Sequence, residues 1–222
     1  MNVGITRFLD GARTATGHVV IVDVFRAFTS APFCIASGAT EIVLVADHEQ
    51  ALAMRRDDPS LFLTGEIGGR AIPGFDVGNS PSAIERLDLA GRRVVQRTSS
   101  GTQGVVAAQL AEEILLGSFV IASATVRYLE KRAREVTVVS MGERGILESS
   151  EDDACAGYIA ARLRGEQADT KAIITSLWAH EDPNWPEWFP RRDAELACEV
   201  DRFAFAMVVR REGKLLVARP VR

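Results

Sequence analysis

Cysteine, histidine and basic clusters are scarce in this sequence, and each scarcity excludes a class of protein. The three cysteines (Cys34, Cys155 and Cys198) are widely spaced and form no CxxC pair. Neither a disulfide framework nor a cysteine zinc site is therefore expected. The 26 basic and 30 acidic residues give a net charge of −4 without a basic run. This balance argues against nucleic acid or an anionic membrane surface as a main partner.

Long apolar runs and the common catalytic motifs are also absent. No apolar stretch reaches the roughly 20 residues that a membrane-spanning helix needs. The N-terminal residues lack the basic and apolar regions of a signal peptide. The three histidines lack metal-ligand spacing, and the motifs GxGxxG and GxSxG do not occur, which disfavours a zinc protease, a dinucleotide-binding protein and the usual serine hydrolase. A cytoplasmic enzyme or binding protein is the remaining expectation.

Apolar runs alternate with helical stretches along the 222 residues, which predicts one domain over residues 1–222. Such alternation is typical of a mostly parallel sheet with helices on both faces. The predicted strands cover residues 19–22, 42–45, 61–63, 94–95, 119–121 and 136–139. The predicted helices cover residues 29–37, 49–56, 105–116, 128–134 and 152–163. The predicted fold class is therefore α/β.

Two segments of the C-terminal part have different patterns. The runs 205–210 and 214–219 flank Glu212 and Gly213, which predicts an antiparallel hairpin at the edge of the sheet. The proline- and tryptophan-rich segment 182–190 is predicted to be a structured loop.

Polar residues follow the predicted strands. Asp23 and Arg26 come after the first strand, Glu66 after the third, Ser123 after the fifth and Glu143 after the sixth. Because ligands of open parallel sheets bind beyond the carboxyl ends of the strands, these residues are expected to share a site. A simpler interpretation exists for each of them; Asp23, for example, could only cap the next helix.

Three further stretches carry polar groups. Thr98, Ser99, Ser100, Gly101 and Thr102 form a loop between a strand and a helix, which could hold an oxyanion or could simply be a capped turn. Glu151, Asp152 and Asp153 could lie in a solvated first helical turn or, near Asp23, could bind Mg2+. The long connection from residue 67 to residue 82 could be functional or purely structural, and its polar members are Arg70, Asp76, Asn79 and Ser80.

Several of these stretches resemble the ComB family of 2-phosphosulfolactate phosphatases. The resemblance is carried by VVIVDVFRA at 19–27, PGFDVGNSP at 73–81 and TSSGT at 98–102, and PGFDVGNSP is the most specific of the three. Glu151 and Asp152 and the run from Phe189 through Asp193 to Phe203 are also similar. The likeness covers roughly residues 18 to 205, which is nearly the whole chain.

The resemblance implies a three-layer α/β/α fold and a Mg2+-dependent hydrolase that converts 2-phosphosulfolactate to sulfolactate and phosphate in coenzyme M biosynthesis. The sequence departs from the family pattern at Ile67, Ser100 and Ile121, where an arginine and two asparagines are expected. Losing one guanidinium and two amides changes how an anionic substrate is held. We therefore expect that 2-phosphosulfolactate is not the best substrate, unless Arg70 replaces the missing guanidinium.

The leading hypothesis is metal-assisted hydrolysis of a small anionic phosphate ester. The predicted Mg2+ ligands are Asp23 and Asp152, with Glu66, Glu143 and Glu151 as further candidates. Arg26 and the loop 98–102 are predicted to hold the phosphate, and Asn79, Ser80 and Arg70 to contact the substrate. Whether Asp23 attacks phosphorus or only binds the metal ion stays open at this point.

Two other functions remain as alternatives. One is a phospho-ligand binding protein of the same fold that has lost turnover. The other is an esterase using Ser99 or Ser100, which is disfavoured because the sequence places no histidine to activate either serine. A homo-oligomer also stays open.

Overall fold

The computed structural model describes residues 1–179 and 186–222 as a ten-stranded sheet covered by helices. The strands are β1 (Asn2–Arg7), β2 (Gly17–Val22), β3 (Glu41–Val45), β4 (Phe62–Ile67), β5 (Arg70–Ala71), β6 (Arg93–Arg97), β7 (Ala111–Gly117), β8 (Glu135–Ser140), β9 (Ala206–Glu212) and β10 (Leu215–Val221). The helices are α1 (Phe8–Thr14), α2 (Ala27–Ala36), α3 (His48–Asp57), α4 (Pro81–Ile84), α5 (Gly101–Ala107), α6 (Ala122–Glu130), α7 (Ser150–Leu163), α8 (Thr170–Ala179) and α9 (Arg191–Ala197). His180 and residues 182–185 of the predicted loop 182–190 lie outside the described residues.

Two parallel groups of strands make up most of the sheet, and an antiparallel hairpin joins them. The strand order is β1-β8-β2-β7-β9-β10-β3-β6-β4-β5. Strands β1, β8, β2 and β7 are parallel to one another, as are β3, β6 and β4. The predicted α/β class with a mostly parallel sheet is confirmed.

The predicted edge position of the hairpin is wrong. Strand β9 pairs with β7 and strand β10 pairs with β3, so the hairpin lies in the middle of the sheet. Val208 and Val217, one on each strand, are almost completely buried. The turn-proximal residues of β9 (Arg210, Arg211 and Glu212) are exposed, whereas the rest of β9 and residues 216–218 of β10 are buried in the sheet.

One predicted helix and one predicted strand are also wrong. The helix predicted over 105–116 ends at residue 107, and residues 111–117 form β7 between β2 and β9. Residues 119–121, predicted as a strand, form a short 3-10 helix. Helix α6 begins at Ala122, so Ser123 lies in a helix and bonds to Asp201 instead of following a strand.

Helices cover both faces of the sheet, so the three-layer α/β/α arrangement is confirmed. On one face, α1, α2 and α5 pack against residues such as Ile21 and Ile42. On the other face, α6 and α7 pack against residues such as Val20, and α3 packs against residues such as Val43. None of the helices within residues 1–179 and 186–222 has the length and apolar character needed to cross a bilayer. Cys34 and Cys155 are buried free thiols.

The twist of the sheet brings the carboxyl ends of its two halves together. The antiparallel pairs around the hairpin reverse the strand direction between β2 and β6. A twist of roughly 20–25° per neighbouring pair turns the strands by about 100–125° over the five steps that separate β2 from β6. Helix α5 contacts both β2 and β3, which shows that the sheet bends around it. The residues that follow β2 and β6 therefore converge.

Candidate active site

A cavity of about 230 Å³ lies where the carboxyl ends of β2, β4, β6 and β8 converge. Its charged lining consists of five carboxylates and two guanidiniums, belonging to Asp23, Glu66, Glu143, Glu151, Asp152, Arg26 and Arg144. Its other lining residues are Phe25, Gly68, Gly69, Asn79, Ser99, Ser100, Gly142, Ser149, Trp188 and Phe189. Most of the polar residues that follow the predicted strands therefore lie around one cavity.

Two buried aspartates that line this cavity are held by backbone hydrogen bonds. Asp23 accepts hydrogen bonds from the N–H groups of Ala27 (3.0 Å) and Gly101 (2.7 Å). Asp152 accepts hydrogen bonds from the N–H groups of Val24 (2.7 Å) and Gly142 (2.9 Å). Each carboxylate therefore ties two segments of backbone together, and each has a fixed orientation.

Burial raises the pKa of both aspartates. The pKa of Asp23 rises from 3.8 to about 7, mainly because the carboxylate is removed from water, with Glu66 adding repulsion. The pKa of Asp152 rises for the same reason, and Glu151 and Asp23 raise it further. The pKa of Glu151 is also raised, again chiefly by burial. A divalent cation between these groups would stabilise their charged forms.

Gly101 is required by its closeness to Asp23. A Cβ atom on Gly101 would lie 2.8 Å from Asp23 Oδ2 and 2.9 Å from the ring of Phe28. This glycine lets the backbone N–H of the loop approach the carboxylate at hydrogen-bond distance.

Glu66 holds the two glycine- and serine-rich loops in place. Its Oε1 accepts a hydrogen bond from the Ser99 N–H at 2.5 Å. Its Oε2 accepts from the Gly69 N–H at 2.6 Å and from the Ser99 hydroxyl at 3.0 Å. Glu66 thus accepts three hydrogen bonds, one more than either aspartate, which leaves it the fewest free lone pairs for a ligand.

Arg26 is the buried cation of the site. Its side chain is 5% exposed and pairs with the fully buried Asp193 at 2.9 Å. It also donates to the Gly69 carbonyl at 3.1 Å, and its guanidinium carbon lies 4.5 Å from the centroid of the Phe189 ring. Trp188 packs against Gly69, where any Cβ atom would lie 2.3 Å from the indole ring. Arg26 thus lines the cavity in one fixed position.

Some predicted site residues lie away from the cavity. Thr98 and Thr102 are buried and hydrogen-bond to each other. Ser80 caps α4 and donates to Asp193. Arg70 is exposed on β5 and does not line the cavity. These residues hold the site together or lie outside it.

Asn79, Ser99 and Ser100 do line the cavity. Asn79 Oδ1 accepts a long hydrogen bond from Gln96 at 3.4 Å, so its amide N–H groups are the part that a ligand could use. Ser99 bonds to Glu66, while Ser100 donates to the Gly142 carbonyl at 2.7 Å. Within the described residues no histidine lines the cavity.

The sequence does not predict that Arg144, Ser149 and Trp188 line the cavity. It also does not predict that Asp193 pairs with Arg26. Arg144 and Ser149 lie in the loop after β8. Only Gly142 and Glu143 lie close enough to the end of the strand for its pattern to place them. Trp188 and Asp193 lie far from any predicted strand end. The signal for this region is the family-like run that begins at Phe189 and includes Asp193, which points to it without assigning a role.

The described residues contain no group of three or more histidine, cysteine, aspartate or glutamate side chains already close enough to hold a metal ion. The carboxylates that share the cavity are therefore placed around it and do not converge on one point. Asp23 and Asp152 are the pair whose orientation is best fixed.

The comparisons with known proteins all give the same family description, 2-phosphosulfolactate phosphatase. A family model described as 2-phosphosulpholactate phosphatase matches residues 7–195. Proteins named "Probable 2-phosphosulfolactate phosphatase" from Deinococcus radiodurans and Caldicellulosiruptor saccharolyticus are 40% identical over 146 residues and 36% identical over 145 residues. These alignments cover 65% and 64% of this chain and 60% of each relative. A protein of the same name from Bacillus subtilis is 32% identical over 69% of this chain and 67% of its own length. This chain thus spans about three fifths of the length of the first two relatives.

Proposed function

Because this chain belongs to the 2-phosphosulpholactate phosphatase family, we propose that it hydrolyses a small phosphate monoester with Mg2+ as its cofactor. The reaction would take place in the cavity between Asp23 and Asp152. By the family resemblance, the reaction would belong to coenzyme M biosynthesis in the cytoplasm.

The charge of the cavity is the observation that supports this proposal most strongly. Five carboxylates and two guanidiniums line it, and one of the guanidiniums, that of Arg26, is already paired with Asp193. A phosphate dianion entering such a cavity would be repelled by the ionised carboxylates unless a cation compensated them. A divalent cation would bind both the carboxylates and the phosphate oxygens.

The donor groups fit Mg2+. This ion prefers oxygen ligands and usually binds through one or two carboxylates, with water and substrate phosphate completing its shell. Asp23 and Asp152 would supply the two carboxylates, so a preformed cluster of three is not needed. Glu151 and Glu143 are the next candidates, because Glu66 is occupied by three donors.

The side chains around the cation would bind and orient the ester. Arg26, held by Asp193 and packed on Phe189, would place a guanidinium against the phosphate oxygens. The amide of Asn79 would donate a further hydrogen bond. Mg2+, when bound, would neutralise the phosphate charge that opposes attack.

Asp23 is better suited to holding the cation than to attacking phosphorus. Each of its oxygens accepts a backbone hydrogen bond, which lowers the nucleophilicity of the carboxylate. In this proposal, water therefore attacks the phosphate ester.

The test is phosphate release from small phosphate esters by the purified protein, with Mg2+ or with a chelator. We expect activity only with the metal ion, and a loss of at least about 100-fold in Asp23→Asn and Asp152→Asn, since a metal ion supplies several kcal/mol of charge stabilisation. Asp57→Asn, at an exposed carboxylate of α3, is the matched control.

Activity that survives chelation would contradict the metal role. If no ester releases phosphate but an ester raises the melting temperature, the protein is the phospho-ligand binding protein considered above.

A further inference from the structure

Arg144 is the cavity-lining cation that the proposed function does not yet use. Within the described residues only Arg26 and Arg144 bring positive charge to the cavity wall. Arg26 is committed to Asp193 and to the Gly69 carbonyl. Arg144 pairs only loosely with its neighbour Glu143 at 3.7 Å, and its side chain is 62% exposed. Because the proposed function places Arg26 against the phosphate, the guanidinium of Arg144 is the one left for a second anionic group of the ligand.

The backbone presents Arg144 in a defined way. Arg144 has a φ of 55°, a left-handed conformation that is unfavourable for residues other than glycine. The loop is closed by hydrogen bonds between the backbone groups of Glu143 and Leu147, and it is anchored by the Leu9 N–H, which donates to the Gly145 carbonyl at 3.0 Å. The loop therefore holds a strained residue at the cavity wall, an arrangement that is common at ligand-binding sites.

Arg144 reaches the glycine-rich loop that follows β4. Its Nη2 lies 3.8 Å from the position that a Cβ atom on Gly68 would occupy. Gly68 follows Ile67, the position at which the family pattern has an arginine. Arg70, the candidate for replacing that charge, is exposed and does not line the cavity.

We propose that Arg144 binds a carboxylate carried by the substrate beside its phosphate group and thereby determines substrate choice. This inference rests on the proposed phosphatase function. Because a single guanidinium is available at the described cavity wall, the preferred class is a phosphate ester with one additional anionic group on a short carbon frame. An ester with both a carboxylate and a sulfonate would leave one of these two charges without a guanidinium.

The experiment compares kcat/KM for phospholactate, 2-phosphosulfolactate and ethyl phosphate, with Mg2+ present. The main variant is Arg144→Asn, because asparagine tolerates a positive φ and removes the charge. We expect the value for phospholactate to fall about 10- to 100-fold, mostly through KM, as for the loss of a charge-assisted hydrogen bond. The value for ethyl phosphate should change by less than about twofold, since it has no second anion.

Two further variants sharpen the result. Arg144→Lys should recover part of the preference for phospholactate because it keeps the positive charge. Arg56→Ala, at an exposed arginine of α3, is the matched control for loss of a surface charge. Melting temperatures of all variants show whether the fold is retained.

The inference is wrong if Arg144→Asn lowers kcat/KM equally for phospholactate and ethyl phosphate, or if Arg70→Ala and not Arg144→Asn removes the preference. A wild-type preference for 2-phosphosulfolactate over phospholactate would also overturn it. If the wild-type protein releases no phosphate from any ester, the phosphatase proposal fails, and calorimetry of phospholactate binding to wild type and Arg144→Asn then decides the role of Arg144.

Discussion

At the scale of single residues, two opposing effects act on the charged forms of Asp23 and Asp152. Each is buried, which disfavours its charge, and each accepts two backbone hydrogen bonds, which favour it. Burial is the larger effect, so both pKa values rise. Two carboxylates that would be stable in water are therefore poorly compensated in the folded protein unless a cation joins them.

This imbalance predicts how stability depends on pH without divalent cations. The pKa of Asp23 is about 7 in the folded protein, against 3.8 as its ordinary value. Between these values the folded state binds more protons than the unfolded state, so stability falls as the pH rises from about 4 to about 7. We expect the melting temperature to decline over this range, and Mg2+ to raise it more at pH values above the folded pKa than at pH values below it.

Asp23→Asn should make that decline shallower without removing it, because burial also raises the pKa values of Asp152 and Glu151. Thermal melts of the two proteins in a chelator, from about pH 4 to about pH 8, provide the measurement. An unchanged slope in the variant would show that Asp23 does not titrate in this range.

At the scale of elements, α9 connects a segment distant in sequence to the active site. Asp193 lies in its first turn, and besides Arg26 it accepts hydrogen bonds from the Ser80 hydroxyl (2.8 Å) and the Ser82 N–H (2.9 Å). One buried carboxylate therefore fixes α9, the start of α4 and the guanidinium of Arg26. Asp193 is a positioning residue, since it acts on the substrate through Arg26.

Asp193→Asn should destabilise the protein, because Arg26 would keep a buried charge without its partner. Breaking such a pair costs roughly 3–5 kcal/mol, which chemical denaturation can measure. The activity readout is a double-mutant cycle: the loss of kcat/KM in Asp193→Asn should largely disappear when Arg26 is already Gln. Equal losses in both backgrounds would mean that Asp193 acts independently of Arg26.

The elements differ in how well the sequence predicts them. The run 19–22 is apolar at every position because β2 is covered on both faces, and its pattern predicts the strand closely. Strand β7 begins with Ala111, Glu112 and Glu113 after an Ala-rich stretch, so its local pattern favours a continued helix. The segment is nevertheless a strand because it pairs with β2 and β9 in the sheet. Strand β1 escapes prediction because, as an edge strand, it is mostly exposed and lacks an apolar pattern.

The residues of the site also differ in how well the sequence predicts their positions. Asp23, Glu66 and Glu143 can be placed at the cavity from sequence because each lies at or just beyond the end of a strand, where periodicity and topology fix the location. Arg144 lies within an irregular loop, and Asp193 reaches the site from a helix distant in sequence. Their positions depend on tertiary contacts such as the Arg26–Asp193 pair, which no local pattern encodes.

At the scale of the whole molecule, the β9–β10 hairpin holds the sheet together. It supplies every strand contact between the group containing β7 and the group containing β3 in the described sheet. Ending the chain at Phe205 should therefore leave both groups with long unpaired edges and abolish cooperative thermal unfolding, as measured by circular dichroism. A shortened chain that still melts cooperatively near the wild-type temperature would contradict this.

The position of the central hairpin also determines the order in which the sheet can form while the chain is synthesised on the ribosome. The strands flanking it, β7 and β3, are made long before β9 and β10, so the middle of the sheet is the last part of the sheet to be synthesised. Until β10 has emerged, the two partial sheets have unpaired edge strands, β7 and β3, which are prone to pair with other chains. Fast translation at high expression levels should therefore favour aggregation of this protein, and slower synthesis or a chaperone that covers strand edges should increase the soluble yield.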